Sequence, residues 1–253
     1  MTQQLELFNA EYRLRERVST KARNIRIEVH PEREVVLVYP RWVPRADALA
    51  FLQSRTEWVR AKLDAFAERA VADPLPPLPR WDGTDEILLR GTLVPVMVEP
   101  ARLRHLAVRI EAERITLFVP SQCQDQPQRL ALALKRELMH RAQLDARRLL
   151  NEEAQRLGVY WRDLGIADPH TQWGSCGPDG TISLSWRLVM APPAVFRYVV
   201  VHELCHRVHM DHSERFWALV EQQLPDFDQH RRWLRDHGHH LHHYLPKRRA
   251  RGA

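Results

Sequence analysis

The segment VVVHELCHRVHMDHSERFW, residues 199–217, constrains the fold of this chain most strongly. Pro192 and Pro193, shortly before it, can open a helix because the first turn of a helix needs no amide donors. In this segment three valines, 199–201, precede Glu203, which has a histidine on either side at 202 and 206. Burying such polar groups without partners costs on the order of several kcal/mol, which a bound metal ion would offset. The segment therefore predicts an apolar helix built around a metal site.

Two of the histidines fit that helix directly. His202 and His206 are four residues apart, so their side chains share one face, one turn apart, and can converge on one ion. Glu203 completes the pattern H-E-x-x-H. It lies about 100° round the helix from His202, beside the metal face, where it can hold a water molecule. We predict His202 and His206 as metal ligands and Glu203 as the catalytic base.

A third ligand is needed, because catalytic zinc usually has three protein ligands and one water. On a continuous helix, His209 would lie about 10 Å along the axis from His202, too far to share an ion bound at about 2 Å. If the helix ends near Met210, the chain can turn and bring His212 to the metal. His212 is therefore favoured, with His209 and Glu214 as the alternatives. His209 could instead face the substrate.

A second histidine-rich stretch, HGHHLHH at 237–243, has a different character. Such a run binds metal opportunistically on any exposed tail, so we assign it no specific role. The one concentrated basic run, PKRRARGA at 246–253, follows it. The formal charge of +6 and a pI near 9.6 would attract nucleotides or nucleic acid, although most arginines are interspersed with acidic residues. We expect a mostly solvated surface and keep these polyanions as alternative partners.

Composition indicates a folded protein. Its 253 residues fit one large domain or two small ones, and 44% hydrophobic residues suffice for a core. No apolar run is long enough to cross a bilayer, and the first residues do not form an apolar secretory segment. The three cysteines lie far apart without a CxxC pair, which suits a reducing compartment. We expect a cytoplasmic protein with no membrane partner.

Hydrophobic periodicity predicts an α+β fold. The expected elements are strand pairs over 24–40, 86–100 and 106–120, helices over 46–70 and 127–157, and a turn at 177–180 before a strand at 181–185. The proline-rich residues 72–80 cannot continue a helix and mark a candidate boundary. We divide the chain into a β-rich region, 1–125, and a second region, 126–253, which carries the histidine helix and a histidine-rich basic tail.

Residues 173–217 combine the motifs W-G-S-C, HExxH and H-S-x-x-F-W at specific separations. In these motifs, and more loosely over nearly the whole chain, the sequence resembles the YgjP-type family of zinc-dependent hydrolases, relatives of the SprT-like and WLM metalloproteases among the zincins. The resemblance implies zinc on His202, His206 and His212, with Glu203 as the base. It also implies a zincin-like catalytic domain in the second region, with the HExxH helix beside a short sheet.

The leading prediction is therefore a zinc-dependent hydrolase, most simply a metallopeptidase. Zinc would lower the pKa of its bound water and Glu203 would take the proton. A peptide or protein substrate could pair with the strand at 181–185. Tyr198, His209 and Arg215 are candidates for stabilising the oxyanion. The alternatives are a metal-dependent nucleotide pyrophosphatase and a nucleic-acid-associated protease or binding module.

Overall fold

The computed structural model describes residues 12–30, 33–120, 127–169 and 172–245, without the side chains of 69 and 70. The chain forms two compact units, Met1–Pro76 and Pro77–Ala253. This division falls within the proline-rich stretch 72–80 that the sequence marks as a candidate boundary. Cys123 and the basic run 246–253 lie outside the described residues.

The first unit combines a three-stranded sheet with two helices. Its elements are β1 (Arg13–Ser19), β2 (Arg26–His30), β3 (Glu34–Pro40), α1 (Arg45–Ser54) and α2 (Thr56–Ala72). The strand order is β1-β3-β2, with β1 parallel and β2 antiparallel to β3. The predicted β2–β3 pair is therefore confirmed. Leu37 from the sheet and Leu52 from α1 belong to a separate small core.

The helix predicted over 46–70 is in fact two helices, α1 and α2. At the break, the hydroxyl of Ser54 donates to the carbonyl of Phe51, and that of Thr56 to the carbonyl of Gln53, each at 2.8 Å. Hydroxyls that bond to nearby backbone carbonyls compete with continuous helix. Apolar periodicity does not reveal this local effect, so the single-helix prediction was wrong.

The second unit begins with a four-stranded sheet and a long helix. The strands are β4 (Asp85–Leu89), β5 (Thr92–Pro100), β6 (Ala107–Ile110) and β7 (Ile115–Val119), and α3 (Pro127–Leu157) follows. The strand order is β4-β5-β7-β6, with β5 and β7 parallel. Both predicted hairpins, β4–β5 and β6–β7, are confirmed, as is the helix at 127–157.

A smaller sheet and three helices complete the second unit. The elements are β8 (Asp163–Ala167), β9 (Gly174–Cys176), β10 (Thr181–Ser185), a 3₁₀ turn (Trp186–Met190), α4 (Pro193–Cys205), α5 (Glu214–Gln223) and α6 (Phe227–His243). The strand order is β8-β10-β9. The predicted turn at 177–180 joins β9 to β10, with the amide of Gly177 donating to the carbonyl of Thr181 at 2.8 Å.

The β4–β5 turn fixes the start of α4. Arg90 and Gly91 both have positive φ, 51° and 85°, as a type I′ hairpin turn requires. Their amides donate to the carbonyls of Val189 at 3.0 Å and Met190 at 2.9 Å. A Cβ on Gly91 would lie 2.7 Å from Cγ of Pro192. The hairpin therefore abuts the first residues of the histidine helix, at a distance that requires glycine.

The strands β4 to β7, which the sequence groups with 1–125, lie in the second compact unit of the structure. Ile87 and Leu117 of these strands share one hydrophobic core with Leu138 of α3 and Val200 of α4. The physical reason is that a sheet with one apolar face needs a cover of helices. The sheet thus supports the same core as the histidine helix.

The histidine-rich residues 237–243 form the C-terminal end of α6 and are not an exposed tail. Gly238 is buried, and a Cβ there would lie 2.6 Å from Cζ2 of Trp173, so α6 lies directly against that indole. Arg187, fully buried in the 3₁₀ turn, donates to the carbonyls of Leu241 and Leu245. The side chain of Arg187 therefore fastens the end of α6 to the core.

Two further expectations bear on the described residues. Cys176 and Cys205 are free, and Cys205 is fully buried. None of the described helices has the length and apolarity that a bilayer crossing requires.

Candidate metal centre

The helix α4 ends earlier than the sequence predicts. Its last residue is Cys205, and His206 takes the C-cap position, whereas we expected the helix to end near Met210. The amides of 207–209 bond back to the carbonyls of residues 204 and 205 in a closing turn. The Arg207 guanidinium then donates to the carbonyl oxygens of Tyr160, Gly177 and Pro178 and so holds that turn against the neighbouring loops.

This early stop lets the chain return towards the helix. His202 lies in the last turn of α4, His206 caps it, and His212 lies in the loop before α5. One ring nitrogen from each of the three lies within 4.8 Å of the others, and Nε2 of His202 is 3.1 Å from Nε2 of His212. Neither His209 nor Glu214 belongs to this group. The structure thus brings together the three histidines that the sequence favours.

A metal binds a neutral imidazole with a free lone pair, and the surroundings of His202 and His206 favour that form. Burial, followed by the charges of His206 and His212, lowers the pKa of His202 to about 3. Burial also lowers the pKa of His206. Nδ1 of His206 lies 3.0 Å from the carbonyl oxygen of His209, which can only accept, so this nitrogen carries the proton and Nε2 is left to bind metal.

An aromatic ring packs against all three imidazoles. Phe216, fully buried in α5, has its ring centroid 4.5 Å from that of His206 and 4.9 Å from those of His202 and His212. Side chains locked by such packing hold a ligand set in place before the metal binds. The motif H-S-x-x-F-W therefore supplies both the third histidine and the aromatic support under the group.

Glu203 lies beside the histidines in a tight and apolar setting. Its side chain is 4% exposed, and burial raises its pKa to about 8. A Cβ on Gly174 of β9 would lie 2.5 Å from Oε1 and 2.8 Å from Cγ of Glu203. The carboxyl group therefore occupies the space that any other residue at 174 would fill. The glycine of the W-G-S-C motif is needed to accommodate the glutamate of HExxH.

These groups open into a cavity of about 580 Å³. His202, Glu203, His206 and His212 all line it. The lining also includes residues from β9 and its flank and from helices α4 and α6: Gln172, Gly174, Ser175, Cys176, Tyr198, Arg231 and Leu234. The sequence marked W-G-S-C as a motif but gave the β9 residues no place in the site, and it missed those of α6, because no local spacing connects either set to the HExxH motif.

The expected docking strand needs correction. Strand β10 (Thr181–Ser185) lies between β8 and β9 and is paired on both sides, so it cannot add a peptide strand. The outer strand beside the cavity is β9. Among the three oxyanion candidates, Tyr198 lines the cavity and His209 and Arg215 do not. Burial raises the pKa of Tyr198 to about 12, so its hydroxyl keeps its proton.

Comparison with known families agrees with this geometry. The sequence model of the YgjP-like metallopeptidase domain matches residues 23–237. The chain belongs to the YgjP-like family. The match covers most of the chain and includes every residue of the histidine group, and membership supports a metal-dependent hydrolase or peptidase with a mixed α+β fold. No curated protein and no solved structure matches the YgjP-like chain.

Proposed function

We propose that the protein is a zinc metallopeptidase in which His202, His206 and His212 bind the ion and Glu203 is the general base. One observation carries the proposal: three imidazole nitrogens lie within 4.8 Å of one another beside a buried carboxyl group. A structural zinc site would normally use four protein ligands and would have no need of that carboxyl group. The contact of helix α4 with β9 of the short sheet supports the proposal, because the resemblance implies an HExxH helix beside such a sheet.

The donor set favours zinc among the common metals. Imidazole nitrogen suits zinc, whereas magnesium and calcium prefer oxygen ligands. Three protein ligands leave a fourth position for a reactant, as catalytic zinc sites do. When bound, zinc acidifies water and polarises a substrate carbonyl.

The residues of the chain supply the remaining chemistry. Glu203 takes the proton of the attacking water and returns it to the leaving amine. Tyr198 lines the cavity, and its hydroxyl makes no hydrogen bond to another described residue. In the proposal it donates one to the oxygen on which negative charge develops. An extended peptide could pair with the outer edge of β9, which would present its backbone to the histidines.

Replacement of the base tests the proposal. In Glu203→Gln we expect peptide hydrolysis to fall by about 10²-fold or more, because the amide cannot accept the proton. Zinc content, measured by mass spectrometry of the purified protein, should stay unchanged. The matched control is Glu214→Gln, which alters an exposed glutamate at the start of α5 outside the histidine group and should leave activity intact.

Chelation should abolish hydrolysis in the wild-type protein and added zinc should restore it. Full activity in Glu203→Gln would contradict the proposal. The same preparations should also be offered nucleoside triphosphates. Release of pyrophosphate that depends on Glu203, without any peptide cleavage, would identify the pyrophosphatase instead.

A further inference from the structure

Arg231 of α6 lines the same cavity and differs from the other arginines of that helix. Arg232 pairs with Asp228 at 3.2 Å, and Arg235 pairs with Asp236 at 2.9 Å. Arg231 forms no salt bridge with any carboxylate in the part of the chain that the structure describes. Its guanidinium charge is therefore available to a bound molecule.

The guanidinium of Arg231, an exposed residue, stacks on an aromatic ring. Its central carbon lies 4.7 Å from the ring centroid of Trp217, a distance typical of a cation–π contact. Trp217 in turn stacks on Phe227 at 5.6 Å, with 23° between the ring planes. A charged group that already stacks on a ring loses less side-chain entropy when a ligand binds than a group without such a contact. The stack therefore pre-organises Arg231 as a binding group.

Arg231 is also close to the histidine group. The ring of Trp217 lies 5.7 Å from that of His202 and 5.8 Å from that of His212. The central carbon of the guanidinium is consequently no more than about 10.5 Å from the ring centroids of His202 and His212. About three residues of an extended peptide, at about 3.3 Å each, span that distance. Among the described residues that line the cavity, Glu203 is the only carboxylate. The cavity therefore attracts rather than repels an anionic group.

We propose that Arg231 binds a carboxylate of the peptide substrate, within about three residues of the bond that is cut. The inference rests on the proposed peptidase function and adds its substrate class. The carboxylate belongs either to the C-terminus of the peptide or to an aspartate or glutamate side chain. The planar guanidinium can bind both oxygens of either source.

The test compares matched peptides that differ only in charge. In one pair, the C-terminus is a free acid in one peptide and an amide in the other. In each further pair, a single position has Glu in one peptide and Gln in the other, and the pairs cover three positions on either side of the cut bond. In the wild-type protein we expect kcat/KM to be about fivefold higher for the acid of at least one pair, near the upper limit for an ion pair open to solvent. The pair that shows the preference identifies the source of the carboxylate.

In Arg231→Gln the ratio of kcat/KM between the acid and its uncharged partner should fall to about one, because the guanidinium charge that favours the acid is gone. Arg231→Lys keeps the charge and should keep part of the preference. Arg232→Gln, one residue further along α6 and outside the cavity lining, is the matched control and should behave as wild type. Equal preference in wild type and Arg231→Gln, or no preference in wild type, would overturn the inference.

A binding measurement separates this inference from the proposed function. Fluorescence anisotropy of labelled acid and amide peptides is measured with Glu203→Gln protein, which binds without cutting, and with the Glu203→Gln, Arg231→Gln double variant. We expect a Kd about fivefold lower for the acid in the first and equal values in the second. Equal values in both would overturn the Arg231 inference even where Glu203-dependent cleavage is found. The expected difference without any cleavage would instead reject the peptidase and retain the carboxylate site.

Discussion

Gly174 shows how closely the site is built at the scale of single residues. The nearest atoms to a Cβ at this position would be Oε1, Cγ and Cδ of Glu203, at 2.5, 2.8 and 2.9 Å. All three belong to a flexible side chain and not to the backbone. An alanine at 174 would therefore displace the carboxyl group while the fold adjusts at small cost.

Gly174→Ala should lower kcat by about 10²-fold, because a shift of about 1 Å in a catalytic group costs that much. Zinc content and the melting temperature should stay close to wild type. The matched control is Gly165→Ala in β8, where a Cβ would find its nearest neighbour at an ordinary 3.7 Å. If activity persists in Gly174→Ala, the contact with Glu203 does not position the base.

The histidines show which site features a sequence can reveal. His202 and His206 followed from their spacing on one helix face. His209 was excluded on the assumption of a continuous helix, whereas α4 ends at Cys205 and His209 lies in the turn that follows. The contact of Gly174 with Glu203 did not follow, because it joins a strand to a helix without any periodic pattern. The same holds for Arg231, since only the packing of α6 brings it to the cavity.

At the scale of elements, a buried charge network anchors α6. Arg187 is fully buried and donates from Nε to Asp168 at 2.8 Å, and Lys135 donates to the same carboxylate at 2.8 Å. Burial alone would raise the pKa of Asp168, but the hydrogen bonds from Arg187 and Lys135 outweigh it and lower the pKa to about 2. Because this value lies below that of the unfolded chain, the network stabilises the fold above about pH 4.

That stabilisation, roughly 2 kcal/mol, should be lost as the pH falls from about 4 through 2. Asp168→Asn should lower the free energy of unfolding at pH 7 by about 3 kcal/mol, because it leaves the buried Arg187 charge without a counterion. Its free energy of unfolding should also fall less steeply between pH 4 and pH 2. Urea unfolding of both proteins over this pH range measures the effect.

The control for Asp168→Asn is Asp145→Asn, since Asp145 pairs with Arg90 nearer the surface, where Arg90 is 51% exposed. Loss of this exposed pair in Asp145→Asn should lower the free energy of unfolding by less than about 1 kcal/mol. An equal loss in the two variants would show that burial of Arg187 does not strengthen the network.

Secondary structure was predictable where the signal is local. The β4–β5 hairpin followed from alternating apolar residues around Arg90 and Gly91, and α4 followed from its two prolines. Arg187 could not be recognised, because its carbonyl partners lie 54 and 58 residues further along the chain. The sequence alone does not distinguish a buried arginine from an exposed one, because its hydrogen-bond acceptors come close only in the folded chain.

At the scale of the whole molecule, the family match spans both compact units, from residue 23 to residue 237. The candidate site itself lies within the second unit, where one core joins the four-stranded sheet, α3 and the histidine helix. The sequence predicted the proline-rich stretch as a boundary from its composition alone. The sequence could not show that β4 to β7 share a hydrophobic core with the histidine helix, because the helices that cover this sheet follow much later in the chain.

The central claim is the ligand set, and zinc affinity measured by competition with a chelator tests it most directly. His212→Ala should weaken zinc binding by about 100-fold or more, because it removes one of three ligands. His209→Ala should bind zinc as wild type does, because it keeps the backbone carbonyl that contacts His206. Zinc affinity that is unchanged in His212→Ala, or lost in His209→Ala, would contradict the account.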